Sequence, residues 1–130
     1  MAKIEKIAAK SVFDPPTYSQ AIRVSGAQSV VFVSGQVAYD KQGGAAHPGD
    51  FKAQAREAFR SVVAQVKAAG GTAQSVVKLN TYLTDVRYRA DFGTIRSEIF
   101  GKQPPASTLV QVCALAHPDW MIEVEAIAVL

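Results

Sequence analysis

The 130-residue sequence has little of what would commit it to several functional classes. There is one cysteine, Cys113. A single thiol closes no intramolecular disulfide, and within the apolar run VQVCALA it reads as buried and inert. There are two histidines, His47 and His117, each in a turn bearing Gly or Pro and far from any second His or Cys, so no metal site is expected. Walker loops, the dinucleotide glycine fingerprint, CxxC pairs and HExxH are all missing, and no cofactor is expected. Charge of one sign is never concentrated. The 14 basic residues exceed the 11 acidic ones by three, but they are scattered from Lys3 to Lys102 with no basic-aromatic stripe, which argues against a nucleic-acid partner. No stretch approaches the ~18 apolar residues needed to cross a bilayer. The start, MAKIEKIAAKSVFDPP, has lysines without an apolar segment of signal-peptide length. Cytoplasmic residence without a membrane partner is the resulting expectation.

What is present is a set of strands interrupted by two helices, with no internal repeat or linker. This predicts one α+β domain over residues 1–130, long enough to bury roughly two-thirds of its surface. AIRVSGAQSVVFVSGQVA, residues 21–38, reads as a hairpin around Ser-Gly. Asp50 is the expected N-cap of a helix whose apolar face is Phe51, Ala55, Ala58, Phe59, Val62, Val63 and Val66, with Gly70 as its left-handed stop and Lys52, Arg56, Arg60 and Lys67 as a solvated basic row. In the strand SVVKLNTYLTD, Val77, Leu79, Thr81 and Leu83 should share one side. Asp85 or Asp91 should cap a second helix carrying Phe92, Ile95, Ile99 and Phe100 and ending at Gly101. Strands near 106–115 and 120–130 follow, and a short one near Ile4 and Ile7 completes the order βββαβαββ. Two helices cover one face of such a six-stranded sheet. VVFV, VCALA and IAVL are apolar on both faces, so the open face calls for a symmetric homo-oligomer.

The chemistry-bearing residues are few. Ser34 in VFVSGQV lacks the Gly-x-Ser-x-Gly frame of a nucleophile elbow. In the last strand, MIEVEAIAVL, Glu123 and Glu125 alternate on the face of Met121, Ile127 and Val129. A carboxylate placed there acquires a partner or a raised pKa, which fits either a structural pair or a general base that positions water. Ser107 and Thr108 open the strand after Pro104-Pro105, and no His and acid pair can be assigned to activate them.

YSQA, FVSGQV, VVKLNTYLTD and PPASTLVQV…IEVEAIAV, taken in order and spacing over about residues 12–130, resemble the Rid family (YjgF, also labelled endoribonuclease L-PSP). The resemblance implies a chorismate-mutase-like mixed sheet, a homotrimer with clefts between subunits, and cofactor-independent hydrolysis of reactive enamines and imines such as 2-aminoacrylate. It implies that Tyr18 is the cleft tyrosine, that Ser34 belongs to the substrate-binding Ser-Gly-Gln segment, and that Glu123 positions the attacking water. Active deaminases carry Pro-x-Arg-Ser-x-Val where this chain has Pro105-Ala106-Ser107-Thr108-Leu109-Val110, so Ser107 stands in place of the arginine that grips the substrate carboxylate. A charged hydrogen bond is worth about 1.5–3 kcal/mol, so this loss weakens binding of a small imino acid by ~10- to 150-fold.

Ser107 and Thr108 are therefore expected to line a cleft for a different carboxylate ligand. Arg96 stands where relatives have a helical asparagine; it either supplies the missing guanidinium or is a surface side chain. The turn ALAHPDW is one residue longer than in the deaminases, which brings His117 and Trp120 toward the cleft. Three function classes follow: a hydrolase for an enamine or imine other than 2-aminoacrylate, a trimer that binds small molecules without turnover, and, with least support, RNA cleavage or translation inhibition.

Overall fold

Asp50 starts the first helix as its type demands, its carboxylate accepting from the Ala53 backbone N–H at 3.1 Å, and the helix stops before Gly70, which is left-handed at φ +98°. The computed structural model describes residues 2–130. Its elements follow the expected order: β1 (Lys3–Ile7), β2 (Ala21–Ser25), β3 (Val30–Gln36), α1 (Phe51–Ala68), β4 (Val76–Leu83), α2 (Arg89–Phe100), β5 (Ala106–Gln111) and β6 (Ile122–Val129).

Strand pairing departs from the sequence expectation. The six strands form two sheets, an antiparallel β1–β2 pair and a four-stranded sheet of order β3–β6–β4–β5. The expected hairpin between β2 and β3 does not form. After Gly26, at φ +68°, the chain turns so that the Gln28 and Ser29 N–H groups donate to the Leu130 carbonyl, which sets β3 against β6 instead. β4 and β5 are parallel, and α2 supplies the crossover that a parallel pair requires.

Both helices lie on one face of the larger sheet. Phe59 is fully buried between Phe92 and Phe100, with ring centroids 5.8 and 5.6 Å away, above Leu79, Ile122, Val124 and Ala126. Burying each such aromatic contributes about 1.5–3 kcal/mol. The basic row of α1 faces solvent as expected, and three of its four members make surface ion pairs, Lys52 with Asp91 at 4.0 Å, Arg56 with Glu98 at 3.5 Å and Arg60 with Glu57.

Smaller corrections have local causes. A register shift between Val76 and Lys78 turns Val76 into the core and leaves Val77 half-buried. Gly101 is right-handed at φ −61°, and a Cβ there would overlap the Ser97 carbonyl oxygen, so close approach rather than a left-handed cap excludes a side chain. Asp85 caps a 3-10 turn, Val86–Tyr88, ahead of α2. β5 ends at Gln111, two residues short of Cys113, and the thiol is exposed, not buried.

Candidate functional site: an arginine-floored cavity and a separate glutamate

Periodicity places Phe92, Ile95 and Phe100 of α2 in the core, and it carries Arg96 inward beside them with only 7% of its surface exposed. Arg96 Nη1 donates to Ser107 Oγ and Nη2 to Thr17 Oγ1, each at 3.2 Å. The guanidinium lies against the rings of Tyr18 and Phe92, 5.2 and 5.1 Å from their centroids. Its Nε is buried without a partner, and no carboxylate pairs with it among the described residues. Burial holds its pKa below the ordinary arginine value, an effect that Tyr18 opposes and the Arg89 charge reinforces. The group remains a cation at neutral pH.

A cavity of about 520 Å³ opens over this guanidinium, lined also by Tyr18, Ser107, Leu109, Gly93 and Arg89. The loop that brings Thr17 and Tyr18 there is fastened by Ser19, whose hydroxyl donates to the Pro104 carbonyl at 2.6 Å and whose N–H donates to the Pro105 carbonyl at 3.1 Å. Both are carbonyls of the Pro-Pro step that launches β5, so one segment sets the positions of Ser107 and the loop together.

The other expected residues lie elsewhere. Register explains why, because Ser107 and Leu109 align with Leu79 and Thr81 on the helix-covered face, whereas Thr108 aligns with Asn80 on the open face, where it accepts from Lys78 Nζ at 2.9 Å. Glu123 aligns with Tyr82, also on the open face. Ser107 and Glu123 of one chain are therefore on opposite sides of the sheet and cannot share a cleft face. A bulge between Val33 and Gln36 carries Ser34 and Gly35 past Glu123. A Cβ at Gly35 would overlap Glu123 Oε1, so the glycine makes room for that carboxylate.

The two acids of IEVE separate in role. Glu125 accepts a short hydrogen bond from the Tyr82 phenol and a second from Asn80 Nδ2 at 3.3 Å. That bond, with burial adding, holds the Tyr82 pKa above its ordinary value. Glu123 has no hydrogen-bond donor among the described residues. His117 is outside the cavity: its Nδ1 accepts from the Asp119 N–H at 3.0 Å, and its ring rests 5.4 Å from Trp120, whose Nε1 donates to the Ala38 carbonyl.

Sequence reasoning missed Thr17, Ser19, Arg89 and Gln54. Gln54 is fully buried in α1; it donates to the Asp119, Ala46 and His47 carbonyls and accepts from the Met121 N–H, anchoring the approach to β6 and hence Glu123. The one available signal was a helical glycine, Gly93, three residues before Arg96. No cluster of His, Cys, Asp and Glu suited to a metal occurs among the described residues, and no helix is long and apolar enough to cross a membrane.

A family model described as Endoribonuclease L-PSP matches residues 13–130. A RutC family protein of Pyrococcus abyssi is 38% identical over 111 residues, covering 85% of this chain and 84% of that protein. Among solved structures, the Rid family protein YyfB of Yersinia pestis gives a TM-score of 0.86 at 27% identity over 98% of both chains. TdcF of E. coli, crystallised with bound serine, gives 0.70 at 32% identity over 92% of this chain and 91% of that one.

Proposed function

Because the chain belongs to the Rid/YjgF family of endoribonuclease L-PSP proteins, we propose that its Arg96 cavity receives the carboxylate of a small organic acid and that the protein hydrolyses an enamine or imine of that acid other than 2-aminoacrylate. The observation that carries this reading is the Arg96 guanidinium, nearly buried, without an acidic partner among the described residues and aimed with Ser107 and Thr17 into a cavity. A desolvated, unpaired cation costs several kcal/mol, and a fold that keeps one in a cavity gains from an anion that completes it. The TdcF crystal structure offers support, since serine also carries a carboxylate.

In the reaction, the imine nitrogen is protonated, water adds to the C=N carbon, and collapse of the adduct expels ammonia and leaves the carbonyl. Both hydrogens of the water end on the departing nitrogen. Arg96 holds the carboxylate, Tyr18 closes over the substrate, and Glu123 takes the water proton and passes it on. Glu123 of the same chain is behind the sheet, so the proposal includes a homotrimer in which the Ser34–Glu123 side of one subunit faces the Arg96 cavity of the next. Phe32, 77% exposed on the open face beside Ile127, supports such a contact.

The test is ammonia release from a panel of enzymatically generated imino acids. Wild-type acceleration lost in Glu123→Gln is expected; equal acceleration by the two would refute the role of Glu123, and no acceleration by the wild type would refute the hydrolase. A second reading, binding without turnover, draws on the separation of Glu123 from Arg96 within the chain. It takes over if both proteins are inert while an organic acid still raises the melting temperature.

A further inference from the structure

Six arginines occur in the sequence, and four are in ion pairs: Arg23 with Glu5, Arg56 with Glu98, Arg60 with Glu57 and Arg87 with Asp85. Arg89 and Arg96 have no acidic partner among the described residues, and both line the same cavity. That cavity has no acidic residue in its wall.

The spacing of these two is as informative as their charge. Arg89, Gly93 and Arg96 stand at i, i+4 and i+7 of α2, one stripe along a helix face, with the two arginine Cα positions about 10.5 Å apart along the axis. Helical side chains lean toward the N-terminus, and the Arg96 guanidinium reaches back over the Phe92 ring, one turn earlier. Glycine inside a helix is unfavourable for the fold. Nothing in the fold requires it at 93, since an added Cβ would meet no atom within 4 Å. The clearance that it leaves belongs to the cavity. Gly93 stands between the cations, and Ala90, Val86 and Leu109 also line the cavity, which suits methylene groups. Arg96 is buried at the inner end and Arg89 is exposed at the mouth.

We infer that the ligand of this cavity is a dicarboxylate, with one carboxylate on Arg96, the second on Arg89 and the connecting carbons passing over Gly93. The inference rests on the reading of the cavity as an organic-acid site and narrows it to the imine or enamine of a diacid. A three-carbon monoanion such as 2-aminoacrylate leaves Arg89 unanswered. A diacid meets both cations.

Two inert acids of equal length separate the possibilities: glutarate, with two carboxylates, and pentanoate, with one. Titration calorimetry on the intact protein is expected to show glutarate binding about tenfold or more tighter than pentanoate, the ratio that one additional charge-assisted contact produces. Arg89→Met, which keeps the aliphatic stem at an exposed position, should bring glutarate down to the affinity of pentanoate while leaving pentanoate unchanged, and Arg89→Lys should restore part of the difference. Gly93→Leu should weaken glutarate more than pentanoate while the fold, followed by circular dichroism, stays intact. Equal affinities in the wild type overturn the dicarboxylate but leave an organic-acid site standing. Equal losses of both acids in Arg89→Met overturn it too, because they mean that the two arginines share a single anion. Failure of both acids to bind overturns both this inference and the reading beneath it.

Discussion

Replacing Arg96 with methionine separates the two things this residue does, because its contributions to stability nearly oppose one another while its contribution to binding does not. The wild-type guanidinium makes hydrogen bonds to Ser107 and Thr17, each worth about 1.5–3 kcal/mol for a charged donor. Contact with the Tyr18 and Phe92 rings adds about 0.5–2 kcal/mol. Against these stands the desolvation of a cation 7% exposed, with an unpartnered Nε, an effective cost of several kcal/mol. Methionine is unbranched, fills a similar length of apolar slot and carries no charge to desolvate. The expected stability of Arg96→Met is therefore within about 1–2 kcal/mol of wild type, in either direction. Ligand-induced stabilisation should behave differently. An acid at one hundred times its Kd adds about 2.7 kcal/mol, or roughly 8–13 °C of melting temperature for a domain of this size. That shift should be present in wild type and much smaller in Arg96→Met at the same acid concentration, with the greater loss for pentanoate, since glutarate keeps Arg89. Paired thermal melts measure both quantities. A variant that loses more than about 4 kcal/mol of stability, or keeps the acid-induced shift, refutes the view of Arg96 as an anion receptor held at little net benefit to the fold.

Gln54→Leu leaves the Met121 N–H and the Asp119 carbonyl without their partner inside the protein, so it should cost about 3 kcal/mol or more in denaturant unfolding; a loss below about 1 kcal/mol would mean that water replaces the amide easily. For Tyr82 the folded-state pKa is raised above 10.0, first by the bond to Glu125 and then by burial. Its contribution is therefore complete below pH 10.0 and lost as pH rises through the folded value, and Tyr82→Phe should flatten the alkaline decline in melting temperature; an unchanged decline sinks the assignment. Ser107→Arg should recover only part of 2-aminoacrylate hydrolysis, read as pyruvate appearing from serine in a coupled dehydratase assay, because Ser107 Oγ is already 3.2 Å from Arg96 Nη1. Two guanidinium groups about 4 Å apart repel by about 4 kcal/mol at an effective dielectric near 20, and full recovery, or robust wild-type activity on this substrate, would overturn that expectation.

What could be read from the sequence was local, and what could not was set by distant partners. Asp50, Gly70 and the apolar stripe of α1 declare a helix because capping and a 3.6-residue period act within a few residues. The Ser-Gly turn after β2 looked like a hairpin because nothing nearby says that β3 will find β6, whose residues lie at the other end of the chain. Cys113 looked buried because an apolar run does not announce that its strand stops at Gln111. Arg96 was legible as a candidate from the resemblance alone, but its setting depends on Thr17, 79 residues away, brought in by a loop that Ser19 fastens to Pro104 and Pro105. Gln54 was invisible for a related reason: a glutamine in a helix reads as surface until the carbonyls that need it arrive from residues 46, 47 and 119. Ser107 and Glu123 stand in consecutive strands of the sequence, but distant pairing sets the order of strands in the sheet. β4 lies between those strands, and register puts the two side chains on opposite faces.

That separation yields a prediction that depends on assembly alone. If each cleft takes Arg96 from one subunit and Glu123 from the next, Arg96→Met and Glu123→Gln disable different walls of the same cleft, and each homotrimer is inactive. In a trimer reassembled from equal amounts of the two, a cleft works when an Arg96-bearing subunit happens to face a Glu123-bearing one. For a closed ring of heterologous contacts this has a probability of about one half times one half, so hydrolysis should return to about one quarter of the wild-type rate. The mixture should first be unfolded and refolded together, and mixing without unfolding serves as the control. A clefted monomer, or a site that draws both groups from one chain, gives no recovery at any ratio, because no single chain then carries both residues. The ratio dependence is also diagnostic: activity should peak at equal amounts and fall off on either side as the product of the two fractions. Recovery that instead rises in proportion to one variant would mean that variant is active by itself, and Arg96 or Glu123, whichever it lacks, would lose its place in the mechanism.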